Sequence, residues 1–294
     1  MKYSFRCSCR LIPVILLTLL MGFVCLGQDV DERLREGELA PIKLPMPNID
    51  MDAITQLDVA IDRASADDEL VNLYVTRAEA YASAQQWSKS ALDFRRAAEI
   101  TRTESRYWMR GGVMLLLAGD RMGYQAFIEY MIKTLKDTEF VYAQERVAKM
   151  CVLPKDPIGE RAFVEELVDK SVRDSADSPW AEYFPSTQAL VRYRYEKYEQ
   201  ALNSIDDSNK INKTTNQSED VTTINQLIEA MCHARLGNQD KAKDAFRSAD
   251  ERLRRELANP DLVRDGSFWH DWMIAKLLHD EARAVLAKKS GNKD

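Results

Sequence analysis

Apolar positions recur at three-, four- and seven-residue intervals through most of the chain, a pattern that predicts helices rather than strands. The clearest case runs from about Glu69 to Ile100. Tyr74, Ala78 and Tyr81 fall on one face of a first helix, and Ser90, Phe94 and Ala97 on one face of a second. Ala78 and Ser90 are small enough to let two helices approach closely, while Tyr81 and Phe94 fill the volume beside them. Gln85-Gln86-Trp87 makes the tight connection. Thirty-four residues after Tyr74, Ala78 and Tyr81 come Trp108, Gly112 and Leu115. A fixed period of that length marks one helix–turn–helix unit used repeatedly. The second unit continues through the turn Gly119-Asp120 to Tyr124, Phe127, Ile128 and Met131. These residues read as core, the usual role of an aromatic stripe at helical spacing.

The rest of the chain follows with more divergence. Ala53, Leu57 and Ala60 repeat the small–large–small spacing and predict a lone helix ahead of the first full unit, placed to shield the end of a stack. A third unit is expected over Phe140–Leu153, ended by Pro154 and Pro157, and Ile158–Val172. A fourth covers Trp180–Tyr195, interrupted by Pro185, and Tyr198–Ile205. Residues 206–220, rich in Asn, Ser, Thr and Asp, read as a solvated loop carrying the glycosylation-type triplets at Asn212 and Asn216. A fifth unit has Ala230, the turn Gly237-Asn238, then Ala242, Phe246 and Ala249, with Gly237 where a helix needs a left-handed stop. A charged segment, Asp250–Asp265, leads to a closing helix from Phe268 to Lys288, and 289–294 form a tail. The expected fold is an all-α solenoid of antiparallel helix pairs over residues 51–288, with a C-terminal capping helix.

The pattern Tyr74-x2-Arg77-Ala78-x2-Tyr81, then Ser90, Phe94 and Ala97, resembles the tetratricopeptide repeat (TPR) family, with Arg77 where the family has an aliphatic residue. Two stretches resemble more narrowly the TPR arrays at the carboxyl end of bacterial serine/threonine kinases. One is Trp108-x8-Leu117-Ala118-Gly119-Asp120-Arg121-x2-Tyr124, and the other is Trp269-His270-Asp271-Trp272-Met273-Ile274-Ala275. The 294 residues hold no Gly-rich phosphate loop, His-Arg-Asp or Asp-Phe-Gly, so the resemblance implies an interaction array and not kinase activity.

Composition adds the compartment. Lys2, Arg6 and Arg10 precede a mostly apolar run, Leu11–Leu26, and a polar, acidic stretch follows. This reads as a signal peptide, residues 1–27, cleaved after Gly27, which implies export to the periplasm or medium. Retention as a membrane anchor and lipidation at Cys25 are the alternatives. Residues 28–50, punctuated by Pro41, Pro45 and Pro47, read as an extended tether. Without the leader the chain keeps 38 bases against 47 acids, a balance that disfavours nucleic acid and anionic membrane surfaces as partners. Cys151 and Cys232 fall in different units and read as buried thiols.

Candidate chemistry is sparse. The histidines are His233, His270 and His279. His270-Asp271 could suggest a base and its orienting acid, but neighbours on a helix point about 100° apart and are not expected to pair. No metal spacing, cofactor motif or nucleophile elbow appears. The resemblance implies that first-helix positions line a concave groove: Asn72, Glu79, Arg106, Met109, Tyr193, Arg194, Leu227, Met231 and Arg235. Such an Arg, Tyr and Met surface suits a helix or an extended peptide. The expected function is therefore a non-catalytic, exported scaffold for a protein or peptide partner, with a membrane-held accessory factor in envelope assembly or secretion as the alternative. An enzyme would need convergent ionisable residues in a deep pocket.

Overall fold

The computed structural model describes residues 40–44, 51–259, 262–265 and 268–290. The chain divides into two units, Met1–Pro41 and Ile42–Asp294, and every described helix belongs to the second. The expected leader with Cys25, most of the tether and the last four residues lie outside the described residues. Among the described residues there are twelve helices of at least 12 residues, one single turn and no strand. Helix α1 (Met51–Arg63) precedes five antiparallel pairs. These are α2 (Asp67–Ser83) with α3 (Trp87–Thr101), α4 (Ser105–Leu117) with α5 (Arg121–Leu135), and α6 (Val141–Val152) with α7 (Arg161–Asp174). They continue with α8 (Tyr183–Arg194) and α9 (Tyr198–Thr214), then α10 (Glu219–Arg235) and α11 (Gln239–Leu257). The turn α12 (Leu262–Asp265) and the long α13 (Trp269–Ser290) end the array. From α4 onward the first helices pack on one another in sequence, α4 on α6, α6 on α8 and α8 on α10. Each second helix packs on its own partner and on the first helix of the next pair. The chain is an all-α solenoid whose inner layer is made of first helices.

The repeat is most exact at its turns. In four of the five pairs the chain leaves the first helix through one left-handed residue: Gln85 (φ 54°), Gly119 (φ 74°), Glu196 (φ 62°) and Gly237 (φ 87°). At each, that residue's N–H bonds to the carbonyl three back and the next N–H to the carbonyl five back, as in Gly119 to Leu116 and Asp120 to Leu115. This double bond satisfies carbonyls the helix end would otherwise leave bare. Where the turn residue is not glycine, the same geometry forms at a cost of about 1 kcal/mol.

Small residues let the helices close, as the spacing predicts. Ser90 donates to the Ala78 carbonyl at 2.8 Å, and both residues are fully buried. Gly111 lies under the Phe127 ring, where a Cβ would meet two ring carbons at 3.0 Å and the Phe94 Cβ at 3.3 Å. Phe127 cannot retreat, because its ring packs on Trp108 with centroids 5.0 Å apart. Gly111→Ala is therefore expected to lower stability by about 1–2 kcal/mol despite alanine's better helix propensity. Chemical denaturation of the variant tests this. Tyr124, fully buried, ties α5 to α6 by donating to the Met150 carbonyl at 2.5 Å. Arg77 has its own role. It is a two-armed clamp, 2.7 Å from Asp93 on α3 and 2.7 Å from Asp58 on α1, and so fastens the lone first helix to the array.

Three local expectations are corrected. The polar stretch 206–220 is not an open loop, because α9 runs on to Thr214 and only 215–218 connect it to α10. Several of its polar residues meet buried polar partners while others stay exposed. Ser208 donates to the Glu182 carbonyl, and the Glu182 carboxylate accepts from Thr215, Asn216 and Ser218. Asn212 is buried and its amide is engaged with Ser218 in both directions, so it presents no free side chain for a glycan. The charged stretch after Asp250 likewise begins as helix, because Leu253 and Leu257 are buried on α11. Pro185 leaves α8 intact, since it stands in the first turn, where no amide hydrogen is needed.

Candidate binding site

The C-terminal helix does more than end the stack. It packs on α10 and α11 as a next first helix should, and it also reaches α4 at the other end of the array. Trp269 stacks near Phe94 of α3 at 6.3 Å between centroids, with the Arg110 guanidinium 5.7 Å from its ring centre. Farther along α13, Glu281 forms a fork with Arg194 of α8 at 2.6 and 2.7 Å. Arg194 also donates to the Val152 and Leu153 carbonyls, and its side chain is only 3% exposed. The inner face therefore carries a helix of this same chain.

Two of the cavities beside α13 are lined by expected groove residues, and they lie about three helical turns apart along it. The larger, about 570 Å³, takes residues from four first helices and from the start of α13. Glu79 of α2 and Arg106, Met109 and Arg110 of α4 form one side. Tyr142, Glu145, Arg146 and Lys149 of α6 line it as well, together with Trp180, Tyr183 and Phe268, and the Tyr183 ring lies 5.6 Å from the Lys149 ammonium. The smaller, about 330 Å³, has Tyr193, Arg194, Arg235 and Glu281 in its wall.

The expected groove residues thus divide into groups. Glu79, Arg106 and Met109 meet in the large cavity, and Tyr193, Arg194 and Arg235 in the small one. Leu227 and Met231 are fully buried on α10, the helix on which α13 packs. Asn72 is exposed and lines neither cavity. None of the groove positions implied by the resemblance lies on the first helix of the third pair. Its polar positions Glu145, Arg146 and Lys149 carry the same inward-facing signal that nominated Arg106 and Met109.

The large cavity is strongly polar at its base. Lys149 pairs with Glu145 at 2.9 Å, both side chains under 10% exposed, and Glu145 also accepts from Thr187. Burial works against the Lys149 ammonium, but Glu145 and Asp271 outweigh it and hold its pKa above the ordinary value. Tyr183 donates to Asp220 at 2.6 Å. Burial lifts Asp220 above the usual carboxylate range in spite of that bond.

His270 and Asp271 do pair, against expectation, with Nε2 3.2 Å from the carboxylate. The rule of diverging neighbours concerns where side chains start from the helix. At this first turn both side chains lean toward the helix N-terminus, and the imidazole is long enough to close the gap. Burial pushes the Asp271 carboxyl up to about 7, with Asp220 and Glu145 adding to the rise and Lys149 resisting it. Burial, reinforced by Arg110, Lys149, Arg146 and Arg106, drives His270 well below its ordinary value, so the ring is neutral. Its Nδ1 is buried without a partner.

Both cysteines are buried free thiols pushed up to about 12 by desolvation, which leaves them unreactive at neutral pH. Among the described residues no three His, Cys, Asp or Glu side chains are grouped to hold a metal, and no helix is long and apolar enough to cross a membrane. No protein family, curated protein or solved structure matches this chain.

Proposed function

We propose that the chain is an exported, TPR-like scaffold that binds a protein partner across its inner face and catalyses no reaction. The observation that carries this reading is the convergence of four first helices on one open cavity with a mixed charged and aromatic wall. That is the surface a helical-repeat array turns toward a ligand. The ionisable cluster at the cavity base is more consistent with holding than with turnover. Its members are matched to one another, Lys149 to Glu145 and Tyr183 to Asp220, and His270 and Asp271 lie almost wholly inside. Export rests on the leader pattern of residues 1–27.

The test is a crosslinked pull-down of the tagged chain from the cell envelope, followed by reconstitution with the purified partner. Arg106→Glu/Arg235→Glu is the control variant, because both residues are exposed on the cavity rims. A buried residue such as Arg194 would confound binding with folding. The expected result is one partner whose recovery falls at least tenfold with the variant. Equal recovery by both proteins, or no specific partner, would sink this reading.

A further inference from the structure

The α6 side of the large cavity holds a mostly buried cation, Arg146, with few direct hydrogen bonds of its own. Arg146 has a side chain 17% exposed and carries five N–H donors. It makes one hydrogen bond, to the Ser105 hydroxyl at 2.9 Å, a long contact of 3.9 Å to Glu104, and a cation–π contact 5.8 Å from the Tyr142 ring centre, with Glu145 and Asp271 also within electrostatic reach. Glu104 is already committed, accepting from the Arg106 side chain through both oxygens and from its backbone N–H. None of the Arg146 nitrogens is buried without a partner, so its remaining donors reach water on the cavity side, where an anion can meet them. The cavity is also lined by an aromatic cluster. Trp180 and Phe268 lie with centroids 5.0 Å apart, Tyr183 is 6.4 Å from each, and Phe268 is 37% exposed. Aromatic rings and a guanidinium with donors to spare, lining one cavity, suit a ligand that is flat at one end and acidic at the other.

We propose that this cavity is a receptor site for a small organic anion with a planar ring, its carboxylate or phosphate held by Arg146 and its ring placed at the Trp180–Phe268 wall. About 570 Å³ is within the range of small-molecule sites. The site goes beyond the scaffold reading and stands whether or not a protein partner exists.

The experiment is isothermal titration calorimetry on the full chain with four probes. 2-Naphthoate and 2-naphthyl phosphate carry both features, 2-naphthylmethanol lacks the charge, and inorganic phosphate lacks the ring. The two anionic naphthyl probes are expected to bind at least tenfold more tightly than either control, and their order tells carboxylate from phosphate. Arg146→Gln is expected to weaken the anionic probes roughly ten- to hundredfold while leaving the alcohol unchanged. Trp180→Ala is expected to weaken every naphthyl probe. Should Arg146→Gln fail to fold, Arg106→Gln replaces it. That residue is exposed, and its loss frees Glu104 to neutralise Arg146, so anion affinity falls again. Anions that bind no better than the alcohol, or an arginine variant that weakens all probes equally, would overturn the proposal.

Discussion

Replacing Arg194 with methionine is expected to lower stability by about 3–5 kcal/mol and to release the C-terminal helix before the rest of the array unfolds. The magnitude follows from what the substitution leaves behind. Glu281, its side chain 10% exposed, keeps its charge and loses both bonds of the fork. The Val152 and Leu153 carbonyls at the end of α6 lose a donor at the same time. Removing one partner of a buried pair costs far more than the pair itself contributes, because the survivor is a charge without solvent. Arg194→Met/Glu281→Leu is therefore expected to recover a large part of the loss, though not the part belonging to the two carbonyls. Urea unfolding gives the magnitudes, and amide exchange along α13 gives the location. Exchange that rises equally in every helix would mean that α13 is not separately anchored by this pair.

This anchor also shows where sequence reading stops. The helical face containing Tyr74, Ala78 and Tyr81 is legible because two helices can approach only where a small residue meets a small residue. That constraint is local and leaves a period. The family resemblance also assigns an inward side to α2, α4, α8 and α10, and Glu79, Arg106 and Met109 line one cavity. It cannot say what the inward side will meet. Arg194, Leu227 and Met231 have the same signature as Arg106, yet they are buried on helices against which α13 is fastened. The segment that meets them lies 87 residues from Arg194 in the case of Glu281, and no local pattern links the two. Glu145, Arg146 and Lys149 were legible in principle, but their helix lacks the aromatic signature of the first two units. The polar stretch after Asp206 misleads for the opposite reason. Ser208, Thr215, Asn216 and Ser218 imitate a solvated loop because the residue that receives them, Glu182, is itself a buried acid.

The second large effect is a pH dependence in which His270 and Asp271 oppose each other. The Asp271 carboxyl is raised to about 7 from an ordinary 3.8, so its contribution to stability is fully present below 3.8 and is lost as pH rises through 7. His270 is shifted the other way. Its folded pKa lies well below 6.5, so its contribution is present above 6.5 and is lost as pH falls. Between about pH 4 and 6.5 one term grows on acidification while the other shrinks, and the wild-type curve hides both. Single variants separate them. Asp271→Asn removes a carboxyl that is ionised at pH 8 with Lys149, Glu145 and Arg146 of α6 and Asp220 of α10 around it. It is expected to be more stable than the wild type by several kcal/mol at pH 8, with an advantage that shrinks by about 1.4 kcal/mol per pH unit as the pH falls from 7 toward 4. His270→Gln removes the opposing term, so its stability relative to wild type is expected to rise on acidification below pH 6.5. Other acids cancel when each variant is compared with wild type at the same pH, so urea unfolding at pH 5, 6, 7 and 8 suffices. Flat difference curves for both variants would mean that these side chains are solvated, and α13 could not then enter the inner face at Trp269 as described.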